Sequence, residues 1–169
     1  MKIENSQLVS LNIEFKTAAK LIRLGLAELQ QISFTNHDIY LACLLLTSGY
    51  ERLTKGIICL KYLRDHNKFP SFEVVKKYGH NLVKLKEYIM NNCISKTKAL
   101  KTPHTKEDYD FLSSDEELDI IIQILSDFAQ KGRYHNLDLC FRILIEWDLY
   151  QYTLGFCTSS IEVSRENYL

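Results

Sequence analysis

A chain of 169 residues, 46% hydrophobic and 25% charged, is about one domain's worth and long enough to bury a core without disulfide or metal staples. With only 2 prolines and 6 glycines it lacks the turn-makers of a many-stranded β architecture and favours long helices. Net charge is zero but segregated: residues 1–107 hold 17 Lys/Arg against 9 Asp/Glu, and residues 108–169 hold 4 against 12. The basic part is densest over residues 76–106. Such a stretch is either a solvated helix face or a phosphate-facing surface.

The first helix is expected over residues 7–32. Leu8, Leu11, Phe15, Ala18, Ile22, Leu26 and Leu29 step by threes and fours, whereas Lys16, Lys20, Arg23 and Glu28 fall largely on the other face. A second helix is expected from Asn36 to Asp65, with Thr35 and Asn36 as caps. Its first half is apolar all round, so it should be the most buried element. Gly49 costs about 1 kcal/mol in an exposed helix interior, a loss that close packing there can offset. Residues 67–71 read as a turn stopped by Pro70. A short helix over residues 72–78 closes at Gly79, and a third main helix covers residues 80–95 with Leu82, Leu85, Ile89 and Cys93 inward.

Residues 96–112 have no strong period and contain Pro103, so they are expected to form the longest loop. A fourth helix opens on a capping box, Ser114 to Glu117. Its stripe is Leu118, Ile121, Ile122, Leu125 and Phe128, and Gly132 ends it. The last helix is expected from Asn136 to about residue 160. It carries two apolar faces, one through Leu139, Ile143 and Trp147 and another through Phe141, Ile145 and Leu149. The second face suits either a central position or another subunit. The sum is a single all-α domain over residues 1–169, an up-and-down bundle of four to five long helices.

The five cysteines lie far apart without a C-x-x-C pair, which fits a reducing compartment. The N-terminal residues lack a signal-peptide core and no apolar run approaches a membrane span. The expectation is a cytoplasmic protein. No phosphate-cradling glycine loop, metalloprotease motif or metal-ligand spacing occurs, so no metal or cofactor is expected.

Three polar groups remain. Tyr50, Glu51 and Lys55 follow directly on the buried stretch; Glu51 and Lys55 are four apart, in the favourable helical order. They are either an ordinary surface pair or a charge held at depth, which would need a partner. Tyr78-Gly79-His80-Asn81 places an imidazole near a helix start, where the dipole disfavours its protonated form. Gly132-Arg133-Tyr134-His135-Asn136 joins a cation, a phenol, an imidazole and an amide at a helix junction. Arg133 can clamp a phosphate, and His135, helped by His80, can move a proton. Equally, Arg133 and Asn136 can serve as helix caps.

The stretch Tyr50 to Lys55 (YERLTK), the helix opening Gly79 to Leu82 (GHNL) and the Arg/His/Asn cluster before the last helix resemble the HEPN superfamily of small bacterial and archaeal helical bundles. The resemblance spans roughly residues 36–155. It implies a four- or five-helix bundle, frequent homodimers, a cognate antitoxin or other partner protein, and roles in toxin–antitoxin, phage-defence or RNA-processing systems. Active members are metal-independent endoribonucleases with an Arg and a His separated by four to six residues. Here Arg133 and His135 have one residue between them, a departure from that pattern. Two expectations therefore stand. The protein is an RNA-binding or RNA-cleaving component with Arg133, His135 and His80 in catalytic roles, or a non-catalytic helical dimerisation module whose polar cluster is structural.

Overall fold

Helix α1 (Asn5–Gln30) and helix α2 (Tyr40–His66) form the main seam of the molecule. The computed structural model describes residues 5–33, 39–94 and 102–133, all within one compact unit, Met1–Arg133. The seam is built from small residues repeated every seven positions, which return to one face of a helix after two turns. On α1 these are Ala18 and Gly25; on α2 they are Ala42, Gly49 and Gly56, and all five are buried. The two helices run antiparallel: Gly25 faces Leu46, Gly49 faces Ile22, and Gly56 faces Phe15. A Cβ added at Gly49 would lie 2.7 Å from the Ile22 side chain, 2.9 Å from its backbone nitrogen and 3.0 Å from the Ala18 carbonyl. The helix-propensity penalty of Gly49 is thus offset by backbone-to-backbone approach, the close packing expected at that position.

The first stripe needs correction. Leu8 and Leu26 are 43% and 49% exposed, and Gly25 is the residue that points inward. Helix α2 also begins later than expected, at Tyr40 after Ile39, with no side-chain cap; Thr35 and Asn36 lie outside the described residues. It ends on Asn67 in the left-handed conformation (φ 52°), whose N–H bonds Leu63 O at 2.8 Å. Asn, more than Pro70, closes the helix.

Helix α3 (Phe72–Lys76) is short, and helix α4 (Leu82–Tyr88) continues as a π turn, Ile89–Cys93. The α4 cap is Asn81, whose side-chain oxygen accepts from Lys84 N at 2.9 Å, so His80 precedes the helix instead of opening it. The expected loop over residues 96–112 is corrected from residue 103 onward: helix α5 (Pro103–Ser114) fills it. Pro103 sits at the first helical position, where a missing N–H costs nothing, and the Thr102 hydroxyl accepts from Thr105 N at 3.3 Å. Helix α6 (Glu116–Asp127) is capped by Asp115, which accepts from Leu118 N at 2.7 Å. Ser114 instead donates to Asp110 O at 2.7 Å and closes α5, so the Ser114–Glu117 capping box does not form. Ile121, expected inside, is 50% exposed. A second π turn, Phe128–Gly132, ends the described chain together with Arg133.

Helix α2 is the hub, packing against α1, α3, α4, α6 and both π turns. Ile58, Leu82, Leu85, Ile122, Leu125 and Phe128 fill the core on the side away from α1. Two buried hydroxyls fasten it. Ser126 Oγ accepts from Leu82 N at 3.0 Å, and Thr47 Oγ1 donates to Leu125 O at 3.5 Å. Among the described residues the chain is all-α, without a β-strand. None of these helices is long and apolar enough to cross a membrane. The expected last helix, and its two apolar faces, lie outside the described residues.

A carboxylate-centred candidate site

Glu51 stands where the apolar half of α2 gives way to its polar half, with its side chain only 13% exposed. A carboxylate at that depth needs partners. It has three. Lys55, one turn further on, donates to Oε1 at 2.7 Å. His80 Nδ1 lies 2.9 Å from Oε2, and Arg133 Nη2 donates to the same Oε2 at 3.0 Å. The three cationic or ionisable groups come from one helix, one turn and one helix end, far apart in sequence.

Each partner is delivered by a local backbone device. Gly79 has φ +55°, and no atom lies near the position its Cβ would take, so conformation alone calls for glycine there. That left-handed residue turns the chain after α3 and places His80 just before the Asn81 cap. The bond from Leu82 N to Ser126 Oγ then pins the start of α4 to α6. Arg133 follows the π turn at the end of α6. The extra residue of such a turn rotates whatever follows by about 100° relative to an uninterrupted α-helix. The Tyr40 hydroxyl donates to Arg133 O at 2.5 Å, and the Tyr40 ring meets Phe128 edge-on at 5.3 Å. Both contacts hold the helix end against α2.

Burial pushes the Glu51 carboxyl up. The hydrogen bonds from Lys55 and His80, with their charges, outweigh it and hold the group below the usual glutamate range. Glu51 is therefore an anion at neutral pH. With Lys55 and Arg133 charged, the cluster carries one net positive charge while His80 is neutral, and two when it is protonated. The imidazole is aimed by its Nδ1 contact. Its Nε2 makes no hydrogen bond among the described residues, and the side chain is 53% exposed. Arg133 is more enclosed, and its Nε is buried without an acceptor among the described residues.

Of the residues singled out from the sequence, Glu51, Lys55, His80 and Arg133 converge. Tyr50 does not join them: it makes none of the Glu51 contacts. Burial, with the Asp119 charge behind it, pushes its phenol up to about 12. Tyr134, His135 and Asn136 lie outside the described residues. Sequence reasoning missed Tyr40 and Ser126 as supports and named Asn81 only as a neighbour of His80, although its place directly before an apolar-periodic run carried a readable capping signal. Among the described residues no group of three or more His, Cys, Asp or Glu could hold a metal ion. Cys43 is buried, and burial pushes its thiol up to about 11, which keeps it protonated and inert at neutral pH.

No family model, curated protein or solved structure matches this chain.

Proposed function

We propose that the Glu51 cluster is a metal-independent phosphodiester site acting on RNA, in a HEPN-like helical bundle. One observation carries this reading: an imidazole and a guanidinium meet on a single carboxylate oxygen, at 2.9 and 3.0 Å, with the imidazole's other nitrogen open. A His held through Nδ1 by a carboxylate offers Nε2 as the proton acceptor. In RNA the acceptor's target is the 2′-hydroxyl. The 2′-oxygen attacks the adjacent phosphorus and the bond from phosphorus to the 5′-oxygen breaks. The proton taken by His80 Nε2 passes to the departing 5′-oxygen. Arg133 and Lys55 stabilise the negative charge that builds on the phosphoryl oxygens. His135 is a second proton-transfer candidate, and a homodimer or a cognate partner protein belongs to the same proposal.

The test is end-labelled single-stranded RNA incubated with the full chain in EDTA, beside His80→Ala, Arg133→Ala and His135→Ala. Cleavage leaving cyclic phosphate ends, slowed about 10²- to 10⁴-fold by His80→Ala and strongly by Arg133→Ala, is the expected result. A wild-type protein that leaves RNA intact overturns it.

A second reading has its own observation. Glu51 is nearly enclosed, and both its oxygens are engaged by groups on three separate segments. On this reading the cluster is a structural clamp in a non-catalytic interaction module. Intact RNA together with marked loss of stability in Glu51→Ala and Arg133→Ala is its signature.

A further inference from the structure

Phe72 is the most exposed large hydrophobic residue among those described, at 74%. It opens α3, one five-residue helix and a turn before His80. His80 is eight positions further along, a span of at most about 27 Å even if fully extended. Lys76 Nζ lies 5.7 Å from the Phe72 ring centroid, and Lys77 Nζ lies 5.0 Å from that of Tyr78. Tyr78 in turn packs edge-on against Tyr88, centroids 5.1 Å apart, which holds the second aromatic firmly. Residues 72–78, which lead the chain into His80, therefore carry two lysine–aromatic pairs. Around them the chain is mainly basic: Lys68, Lys76, Lys77 and Lys84 are all exposed, and the one acidic residue between them, Glu73, lies 3.8 Å from Lys76 Nζ in an exposed pair.

An exposed aromatic ring beside ammonium groups suits a particular ligand chemistry. Every nucleobase has a flat face that stacks on such a ring, and the adjoining phosphates pair with lysines. A protein partner's apolar side chain would gain less here, because an isolated ring flanked by charged side chains offers no groove. Double-stranded RNA keeps its bases stacked on one another and cannot present a free face. We propose that Phe72, with Lys76 and Lys77, is a stacking platform for single-stranded RNA that leads the strand to His80. The proposal rests on reading the Glu51 cluster as a phosphodiester site. At about 3.4 Å per nucleotide of stacked strand, roughly eight nucleotides cover the longest possible path.

The experiment titrates the full chain with a fluorescent twelve-nucleotide single strand carrying 2′-O-methyl groups, which can bind but cannot be cut, and reads anisotropy. Phe72→Ala and Phe72→Leu should weaken binding roughly 5- to 150-fold, the range for losing one base stack. Phe72→Trp should restore it, and binding of the matching duplex should not depend on residue 72. Circular dichroism checks that the variants fold, which the exposure of Phe72 favours. Wild-type affinity in Phe72→Leu, or no binding by the wild type, overturns the platform. Cleavage of the unmodified strand is read separately. Cutting with no Phe72 dependence rejects the platform and leaves the Glu51 site standing; Phe72-dependent binding without cutting does the reverse.

Discussion

Helix α2 presents two faces that are ordered by opposite means. Toward α1 it offers Ala42, Gly49 and Gly56, and the helices close together because nothing stands between the backbones. On the same turn as Gly49 but round the helix from it, Glu51 gathers Lys55, His80 and Arg133 through charge and directed hydrogen bonds. The seam is specified by absent atoms and is intolerant of volume. The cluster is specified by paired charges and is intolerant of losing a partner. The two regions therefore tolerate different substitutions. A substitution that ruins one should leave the other's chemistry legible.

The largest effect is expected at the seam. Gly49→Leu forces a branched side chain against the Ile22 backbone and should cost about 3 kcal/mol or more, the upper range for overpacking. Urea unfolding measures it, and a loss under about 1 kcal/mol would mean the seam is looser than described. Next comes the cluster. Glu51→Ala leaves two cations facing each other without their anion. The cost should be about 2–3 kcal/mol, less than for a fully buried pair because Lys55 and Arg133 keep some water contact.

The same carboxylate predicts a pH dependence whose sign follows from its lowered folded value. As pH falls, the unfolded chain takes up the Glu51 proton before the folded one does. The stabilisation is therefore complete above pH 4.5, the usual glutamate value, and disappears as pH drops through the lower folded value. The stability gap between wild type and Glu51→Gln should shrink across that acid window; a gap that widens on acidification contradicts the assignment. The smallest effect is the control. Arg52 bonds Glu14 at 2.7 Å across the same two helices, but both side chains are about half exposed. Arg52→Ala should change stability by less than about 1 kcal/mol, and a larger loss would show that the seam depends on charge after all.

The site was more legible in the sequence than the packing was. Glu51, Lys55, His80 and Arg133 stood out because each is a chemistry-bearing group set against an apolar run or a helix break. Those patterns are local. The seam is not: hydropathy ranks Leu26 above Gly25, yet Gly25 is inside, because the signal there is size and glycine carries no hydropathy to announce it. Pro103 is ambiguous for a related reason. Proline both stops helices and starts them, and the Thr102 hydroxyl bonded to Thr105 N decides for a start. Ser114 and Asp115 are both capping residues, and nothing local shows that Ser114 is already committed to the preceding helix. Nor does any residue pattern announce the π turn that brings Arg133 to Glu51.

In the proposed reaction Glu51 holds His80 by Nδ1 so that Nε2 can move a proton. Single-turnover cleavage of RNA by wild type, His80→Ala and Glu51→Gln, compared at equal folded fraction, tests it most directly. The expected result is a loss of about 10²- to 10⁴-fold in His80→Ala, a smaller loss in Glu51→Gln, and no cutting at a linkage lacking its 2′-hydroxyl. Equal rates in all three proteins, or cutting at the deoxy linkage, would contradict it.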